Sequence, residues 1–359
     1  MTTVTIGSGL GGWAAIAAQP TYGANIVTPT RALYGLKKGT ATWDPHFVQG
    51  TDYLVGGRTV DIGSARVPVY LDAKGTISGD FLNSGMALLL ASAFGSNGTL
   101  TQFGTTSAYR LGGASGISYS TPDGNANNSA VSGSWFDMQF AVPDNDTGTV
   151  HPYTFHSCVI TKAVWTFDRT GLVQWEYDFD AAYVDNAVTA LISTPTFPTG
   201  LVPFAMQGTA PFLKIGTFGS ESQVNLVRKC VITLERKMDV GRIGLGQQYK
   251  VQPVTNGYSQ ISVAIDADFT STNKTAIYDN FLTNTPFSVI VQSVGNAIGT
   301  SGLSDLLQFN PSDCYIQTGG EPNLEGPDLV KSTLQLVGRI DGSNHNPLTA
   351  ALNTSDSTF

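Results

Sequence analysis

Alternation of apolar and polar residues with a period of two recurs along the chain and predicts β-strands. Within residues 65–72, every second residue from 67 onward is apolar. Residues 158–168 and 172–181 flank the short turn Arg169-Thr170-Gly171, and this arrangement predicts a β-hairpin. The same alternation predicts further strands at 227–240, 260–268, 286–294 and 333–341.

Helical patterns are few. A first helix is predicted within 78–94, with Ser78 as its N-cap and Gly95 as its terminator. A second is predicted over 273–282 and stops before Pro286. Because so few helical segments alternate with the strands, a parallel α/β sheet is not expected and the fold is predicted to be mainly β.

The remaining segments are predicted to be loops, a linker and terminal arms. Residues 96–146 are rich in Gly, Ser, Asn and Pro, and we expect a long loop with at most two short strands. The proline-rich residues 195–220 are typical of a linker. Residues 7–25 and 342–359 are polar and lack clear periodicity, so we expect arms that become ordered when a neighbour binds them.

An internal repeat is predicted from two similar hexapeptides. Val67-Pro-Val69-Tyr-Leu71-Asp72 recurs as Ile261-Ser-Val263-Ala-Ile265-Asp266, 194 positions later (261 − 67). Each copy precedes a capping segment, a short helix and apolar strands, although chance similarity between two β-domains remains an alternative. A second pair, Cys158-Val-Ile-Thr and Cys230-Val-Ile-Thr, is out of register with this repeat and is interpreted as coincidence.

The predicted architecture is therefore two tandem, mainly β domains, each with one short helix. Its segments are an N-terminal arm over 1–29, a first domain over 30–194, a linker over 195–220, a second domain over 221–341 and a C-terminal arm over 342–359.

Composition favours a subunit that hides much of its surface. Charged residues make up only 13% of the chain and glycine accounts for 40 positions, so little solvated surface is required. A turn-rich secreted or viral β-protein fits the same composition. The net charge of −8 argues against ordinary nucleic-acid binding, which needs basic side chains. No signal peptide or membrane span is apparent, so we expect a soluble protein made in the cytoplasm.

No constellation of residues predicts catalysis, a metal or a cofactor. Gly7-Ser-Gly9-Leu-Gly-Gly12 matches a dinucleotide fingerprint but lacks the acidic residue and the βαβ unit that the motif requires. Residues 144–148 begin like a calcium loop without its final glutamate, and an Asx-turn is expected instead. His151, His156 and Cys158 lack a fourth zinc ligand. The three cysteines are expected to be buried and reduced.

One row of acidic residues remains as a candidate site. In Gln174-Trp-Glu176-Tyr-Asp178-Phe-Asp180, alternation predicts Trp175, Tyr177 and Phe179 inward and the three carboxylates outward. Asp266 and Asp268 form a shorter version in the second half. An ordinary solvated strand face explains this pattern, and so does a negatively charged wall.

Together these segments resemble the tail tube proteins of long-tailed, siphovirus-type phages. The resemblance rests on an arm followed by Gln19-Pro-Thr-Tyr22-Gly23, then Thr30-Arg31-Ala-Leu-Tyr34, a strand leading into a short helix over 67–94, and a long hairpin over 158–180. It covers most of the chain by the order of elements, and no single motif is specific.

The resemblance implies that each of the two tandem domains is a β-sandwich or half-barrel with one short flanking helix. It also implies a structural virion protein, without enzymatic activity, assembled in the host cytoplasm. Its subunits stack as rings into a tube that holds a tape measure protein and later conducts viral DNA, and other tail proteins cap the ends. Glu176, Asp178, Asp180, Asp266 and Asp268 are then candidates for the lumen. Two tandem tube domains imply a trimeric ring with pseudo-six-fold symmetry, whereas a true hexamer is the rival. The alternative function is a β-sandwich binding module, such as a capsid-decorating protein or adhesin.

Overall fold

The structure, a computed structural model, confirms a mainly β fold. It contains a helix, α1 (Ala87–Ala93), and a 3-10 turn (Gly113–Ser115). The described residues are 12–25, 27–29, 31–50, 66–96, 99–103, 107–119, 135–144, 149–185, 200–206, 213–224, 226–268, 283–319, 331–339 and 346–358. The strands are β1 (Trp13–Gln19), β2 (Arg31–Ala32), β3 (Leu36–Gln49), β4 (Arg66–Asp80), β5 (Leu100–Gln102), β6 (Tyr109–Leu111), β7 (Ile117–Tyr119), β8 (Trp135–Pro143), β9 (Val150–Asp168), β10 (Gln174–Ala181), β11 (Tyr183–Asp185), β12 (Leu213–Gly216), β13 (Ser222–Gln223), β14 (Val227–Glu235), β15 (Met238–Asp239), β16 (Val254–Thr255), β17 (Gln260–Asp268), β18 (Ser288–Ala297), β19 (Ser304–Asn310), β20 (Cys314–Gly319), β21 (Lys331–Gly338) and β22 (Leu348–Thr354).

The larger sheet, sheet I, contains an uninterrupted antiparallel path of eight strands. In spatial order the path is β3-β4-β10-β9-β14-β17-β21-β20. Strand β9 is 19 residues long, and its first half pairs instead with β8 and β11. Strand β8 in turn pairs with β1. We call the eight-stranded path the main path.

Sheet II packs on one face of sheet I and closes the core. Its strands follow the order β13-β12-β18-β19-β22-β6-β5, with β7 also paired to β22. The ring of Trp165 on β9 lies 4.6 Å from that of Phe309 on β19, and Phe94, directly after α1, lies 5.9 Å from Trp165. All three side chains are almost fully buried. Buried aromatic rings in contact contribute both area and specific ring geometry, so they fix how the two sheets meet.

The predicted hairpin is confirmed as β9 and β10. Trp175, Tyr177 and Phe179 all point into the core, as the alternation predicts. Their polar atoms are satisfied there, since the Trp175 indole N–H donates to the Asp80 carbonyl at 2.9 Å and the Tyr177 hydroxyl accepts from the Trp165 indole N–H at 2.9 Å. Phe179 stands opposite Gly75 on β4, where an added Cβ would lie 2.7 Å from the Phe179 ring. The glycine leaves room for the aromatic side chain.

Several predicted boundaries are wrong. Ser78 lies inside β4 rather than capping a helix, and α1 begins after Met86 with no side-chain cap; Gly95, at φ +62°, does end it. The predicted loop over 96–146 contains the nine-residue strand β8. Part of the predicted linker, from Leu213 to Gly216, is strand β12 of sheet II. The predicted helix over 273–282 lies outside the described residues.

Both predicted arms contain buried strands. In β1, Ala14, Ala15 and Ile16 are buried, and in β22 the side chains of Leu348 and Leu352 are buried. Strand β22 lies between β19 and the short strands β6 and β7. These two strands are rich in small residues and lack clear alternation, but their backbone groups pair with strands far away in the chain, so they are satisfied without local periodicity.

The main path consists of two four-stranded units with the same internal order. The first unit is β3-β4-β10-β9 and the second unit is β14-β17-β21-β20. Each begins with a bulge on its first strand, at Lys37 in one unit and Arg228 in the other. The bulged cation pairs with the last residue of the next strand, Lys37 with Asp80 at 2.6 Å and Arg228 with Asp268 at 2.7 Å.

The last strands of the two units correspond as well. Strand β9 has a bulge at Thr161 where it faces Asp178 and Phe179, and β20 has one at Gln317 where it faces Gln335 and Leu336. Three residues before each bulge stands a buried cysteine, Cys158 or Cys314, and each thiol donates to the carbonyl three residues earlier. Bulges are specific features of a strand pair, so two in matching places indicate equivalent units.

The correspondence of the two units does not follow the offset between the two similar hexapeptides. Gly79 on β4 corresponds to Ala267 on β17, an offset of 188 positions (267 − 79), not 194. Val67 and Val69 are 57% and 43% exposed, whereas Ile261 and Val263 are buried in the sheet. The two hexapeptides therefore do not occupy equivalent positions. Cys230 lies on β14, the first strand of its unit, whereas Cys158 lies on β9, the last strand of the other, so the two tetrapeptides do not occupy equivalent positions.

Candidate functional site

The face of the main path turned away from the core carries two of the predicted acidic residues in the open. Glu176 is exposed, and Asp178 is half-buried and accepts a hydrogen bond from the Thr76 hydroxyl at 2.6 Å. Asp178 stands opposite Lys162 on β9, and Lys162 stands opposite Glu235 on β14. Cross-strand pairs of opposite charge are favourable, so this row is mixed rather than a continuous run of carboxylates.

Asp180 does not lie in the open, and the prediction that it points outward to solvent is wrong. Its side chain is buried because the segment between β15 and β16 lies over it. The Lys250 ammonium from that segment bonds the Asp180 carboxylate at 2.7 Å and the Asp72 carboxylate at 2.5 Å, and it also reaches the Ala73 carbonyl. Lys250 thereby links the segment between β15 and β16, which follows the first strand of the second unit, to β4 and β10 of the first unit.

The pKa values of the two carboxylates reflect their different burial. Burial is the largest influence on Asp180 and raises its pKa to about 6, although Lys250 opposes the shift. Partial burial also raises the pKa of Asp72, but hydrogen bonds from Lys250 and Lys74 outweigh it, so its pKa lies below the ordinary value. The Lys250 ammonium therefore holds a costly buried charge at Asp180 in place.

Asp266 and Asp268 occupy β17, which corresponds to β4 and not to β10. Asp268 is the counterpart of Asp80 and is bound by Arg228, so it closes the first bulge of its unit. Asp266 is half-buried and stands opposite Lys229 on β14 and Thr333 on β21. Thr333 is in turn the counterpart of Glu176. Each unit therefore carries one acidic residue at the same height on the open face, but on different strands. In the first unit it is Glu176 on β10, and in the second it is Asp266 on β17, the counterpart of β4.

The main path ends in two unpaired strand edges within the described residues. Strand β3 pairs only with β4, and β20 pairs only with β21. On β3, Trp43 is 40% exposed, whereas its counterpart Leu234 on β14 is fully buried because β9 covers it. Unpaired N–H and C=O groups at a sheet edge are a template for another strand.

The far end of the β3–β4 hairpin, residues 46–49 and 66–70, carries further exposed apolar surface, and we call it the hairpin arm. Phe47, Val48, Val67 and Val69 are each more than 40% exposed. The Arg66 guanidinium lies 4.1 Å from the centre of the Phe47 ring. Exposed apolar side chains gathered in one place mark an interaction surface.

His151 and His156 are engaged in other contacts. The His151 ring contacts the Asp144 carboxylate at 3.1 Å, and the Asp144 carboxylate accepts a hydrogen bond from the Thr149 N–H. The Asx-turn predicted at 144–148 lies largely outside the described residues. His156 is buried between the Asp137 carboxylate and the Ala24 carbonyl, at 2.8 and 2.7 Å. His156 thereby secures the segment after β1. In the part of the chain that the structure describes, no group of three His, Cys, Asp or Glu side chains is arranged to hold a metal.

Three buried thiols complete the inventory of reactive groups. Cys158, Cys230 and Cys314 are free, and burial raises the pKa of each. A thiol with a raised pKa holds little thiolate and reacts poorly. Within the described residues, no helix is both long and apolar enough to span a bilayer.

Within the described residues, the chain is a two-sheet β-protein with a polar open face, unpaired sheet edges and an apolar hairpin arm, features that fit the class of structural proteins. The phage tail tube protein family is the particular match: its model covers residues 14–338, and the chain belongs to this family. It is therefore a structural component of the phage tail. No individually curated protein shows detectable similarity to it.

Proposed function

We propose that copies of this chain join edge to edge into closed rings, and that the rings stack into the tube of the phage tail. The observation that carries the proposal is the main path: two units of the same strand order are already joined through β9 and β14, and among the described residues no strand pairs with either outer edge. A joint of the same kind between chains extends the sheet in one direction. Head-to-tail joints close into a ring when the rotation per unit permits it.

We propose that the two units arose by duplication and that the ring is a trimer with pseudo-six-fold symmetry. Three chains supply about 24 strands, and at about 4.8 Å per strand and about 40° of tilt the backbone circle is roughly 50 Å across. Six chains using the whole main path would double that width. A hexamer is compatible with a narrow channel only if one unit lines it and the other lies outside.

The open face of the main path is proposed to line the channel, which holds a tape measure protein before ejection and conducts DNA afterwards. Such a wall must not retain DNA, and a surface with few unpaired cations does not displace the counterions of phosphate. Glu176 and Asp178 are the principal lumen candidates, with Asp266 and Asp268 as weaker ones. Asp180 contributes through its ion pair and not as a free surface charge.

Electron microscopy of the purified protein tests the proposal. We expect rings or tubes whose averaged images have three-fold symmetry and an inner backbone wall of the width given above. A protein that stays monomeric at all concentrations in the presence of tail-tip and tape measure proteins would contradict it. Six chains per ring would overturn the trimer while leaving the tube.

The lumen assignment is tested by reversing one exposed charge. In phage carrying Glu176→Lys, tubes should assemble normally but DNA ejection should slow, because each ring gains cations along the channel. The matched control is Glu221→Lys, which makes the same charge change at an acidic residue between β12 and β13 in sheet II. Equal ejection rates for the two variants, or a tube with Glu176 on its outer wall, would refute the assignment.

A further inference from the structure

The internal joint between the two units specifies which residues meet at the joint between two chains. In the internal joint, Lys162 of β9 stands opposite Glu235 of β14, and Ala163 stands opposite Leu234. Strand β20 is the counterpart of β9, and β3 is the counterpart of β14. If the ring repeats one joint, the pairing can be transferred residue by residue.

The bulges give the transfer its register. Counting from the bulge at Thr161 on β9 and at Gln317 on β20, Lys162 corresponds to Thr318 and Ala163 to Gly319. Counting from the bulge at Lys37 on β3 and at Arg228 on β14, Glu235 corresponds to Asp44 and Leu234 to Trp43. A one-residue error would turn every side chain to the wrong face, so the bulges are decisive.

We infer that β20 of one copy pairs antiparallel with β3 of a second copy, with Thr318 opposite Asp44 and Gly319 opposite Trp43. This inference rests on the proposed function and adds the contact that closes the ring. The occupant of the β3 edge is therefore another copy of this chain.

The chemistry at both positions fits. Trp43 is half-exposed at the free edge, and a glycine opposite it leaves space for the ring. The chain already uses this pairing twice, since Trp175 faces Gly79 and Phe179 faces Gly75. At the next position, the internal pair Lys162 and Glu235 is replaced by Thr318 and Asp44, which are both polar and exposed. The pairing ends naturally at Pro45, which has no N–H to donate.

A disulfide across the joint tests the register. In an antiparallel pair the opposed Cα atoms lie about 4.5–5.5 Å apart, which is within the range of a disulfide. We expect assembled Asp44→Cys/Thr318→Cys protein to form dimers and closed trimers under mild oxidation, seen on non-reducing gels. The native thiols are buried, so background cross-linking should be low. The matched control is Thr42→Cys/Thr318→Cys, which is displaced by two residues and beyond disulfide reach.

A second measurement needs no substitution. Amide hydrogen exchange at 43–44 and 318–319 of the unaltered protein should slow at least tenfold in tubes relative to unassembled subunits. Tubes that form without cross-linking of the first pair and without this protection overturn the joint but leave the tail tube function standing. Equal cross-linking of the control pair overturns the register. Absence of rings and tubes from the unaltered protein overturns the proposed function, and the joint with it.

Discussion

Removing the Lys250 ammonium should leave the buried Asp180 carboxylate without an ion-pair partner. In Lys250→Met, the methionine fills a similar volume but leaves Asp180, only 6% exposed, without its cation. Breaking a buried ion pair by removing one partner costs about 3–5 kcal/mol, because the remaining charge keeps its desolvation penalty. We therefore expect the free energy of unfolding at pH 8 to fall by about that amount.

The loss should depend on pH with a definite sign. The pKa of Asp180 is about 6 in the folded protein and 3.8 in an ordinary exposed setting, so the folded state binds more protons between these values. Stability of the unaltered protein therefore falls as the pH rises from about 4 to about 6, through this group. Without Lys250, the pKa of Asp180 in the folded protein rises further. The pH range over which this group lowers stability then extends to higher pH. At pH 5 Asp180 is then neutral in the variant, and the loss should be about 1–3 kcal/mol smaller than at pH 8.

Urea denaturation of unassembled subunits, followed by fluorescence of the buried tryptophans, measures these differences. Lys250→Met/Asp180→Asn should recover most of the loss, since no unpaired charge remains. Lys229→Met, which removes an exposed lysine from β14, should change stability by less than about 0.5 kcal/mol. The reasoning fails if Lys250→Met loses the same stability at both pH values, or if the double variant is no better than the single one.

Three further outcomes are expected. Phe309→Ala should lower the free energy of unfolding by about 3–5 kcal/mol in the same assay, and a loss under about 1 kcal/mol would contradict the contact between the two sheets. Deleting 346–359 removes the buried strand β22, so circular dichroism should show an unfolded or aggregated subunit; a well-folded truncated subunit would instead restore the interpretation as an arm. Asp356→Ala removes the acceptor of bonds from Arg31, Ser84 and Gly85 and should cost about 1–3 kcal/mol, and an unchanged melting temperature would argue against that role.

Local patterns predicted the elements whose partners are close in the sequence. The β9–β10 hairpin and the inward aromatic residues of β10 follow directly from alternation and a short turn. The burial of Asp180 could not be predicted, because the residue that covers it, Lys250, lies 70 positions away. Alternation tells which face of a strand a side chain occupies, but not whether another segment crosses that face.

The terminal strands and the exact repeat show the same limit. Strand β1 is rich in alanine, and β22 reads Leu-Thr-Ala-Ala-Leu-Asn-Thr, so neither has strong alternation. Similar hexapeptides suggested a repeat with an offset of 194 positions, six more than the offset between corresponding residues of the two units. The hexapeptides misled because Val67 and Val69 belong to the exposed hairpin arm. The signal that fixes the alignment is the bulge with its cation, Lys37 or Arg228, and bulges leave no composition pattern to read.

The position of β22 near the end of the chain also determines when sheet II can form during synthesis. Arg110 on β6 bonds Asn353 on β22, and the two residues are 243 positions apart. At about 5–20 residues per second, a ribosome makes β22 roughly 12–50 s after it makes β6. For that interval β5, β6 and β7 lack their central sheet partner, so sheet II cannot close and the apolar face of sheet I stays uncovered. Growing chains on one messenger are therefore exposed to aggregation for tens of seconds, and a chaperone that shields that face would have its longest task at this stage.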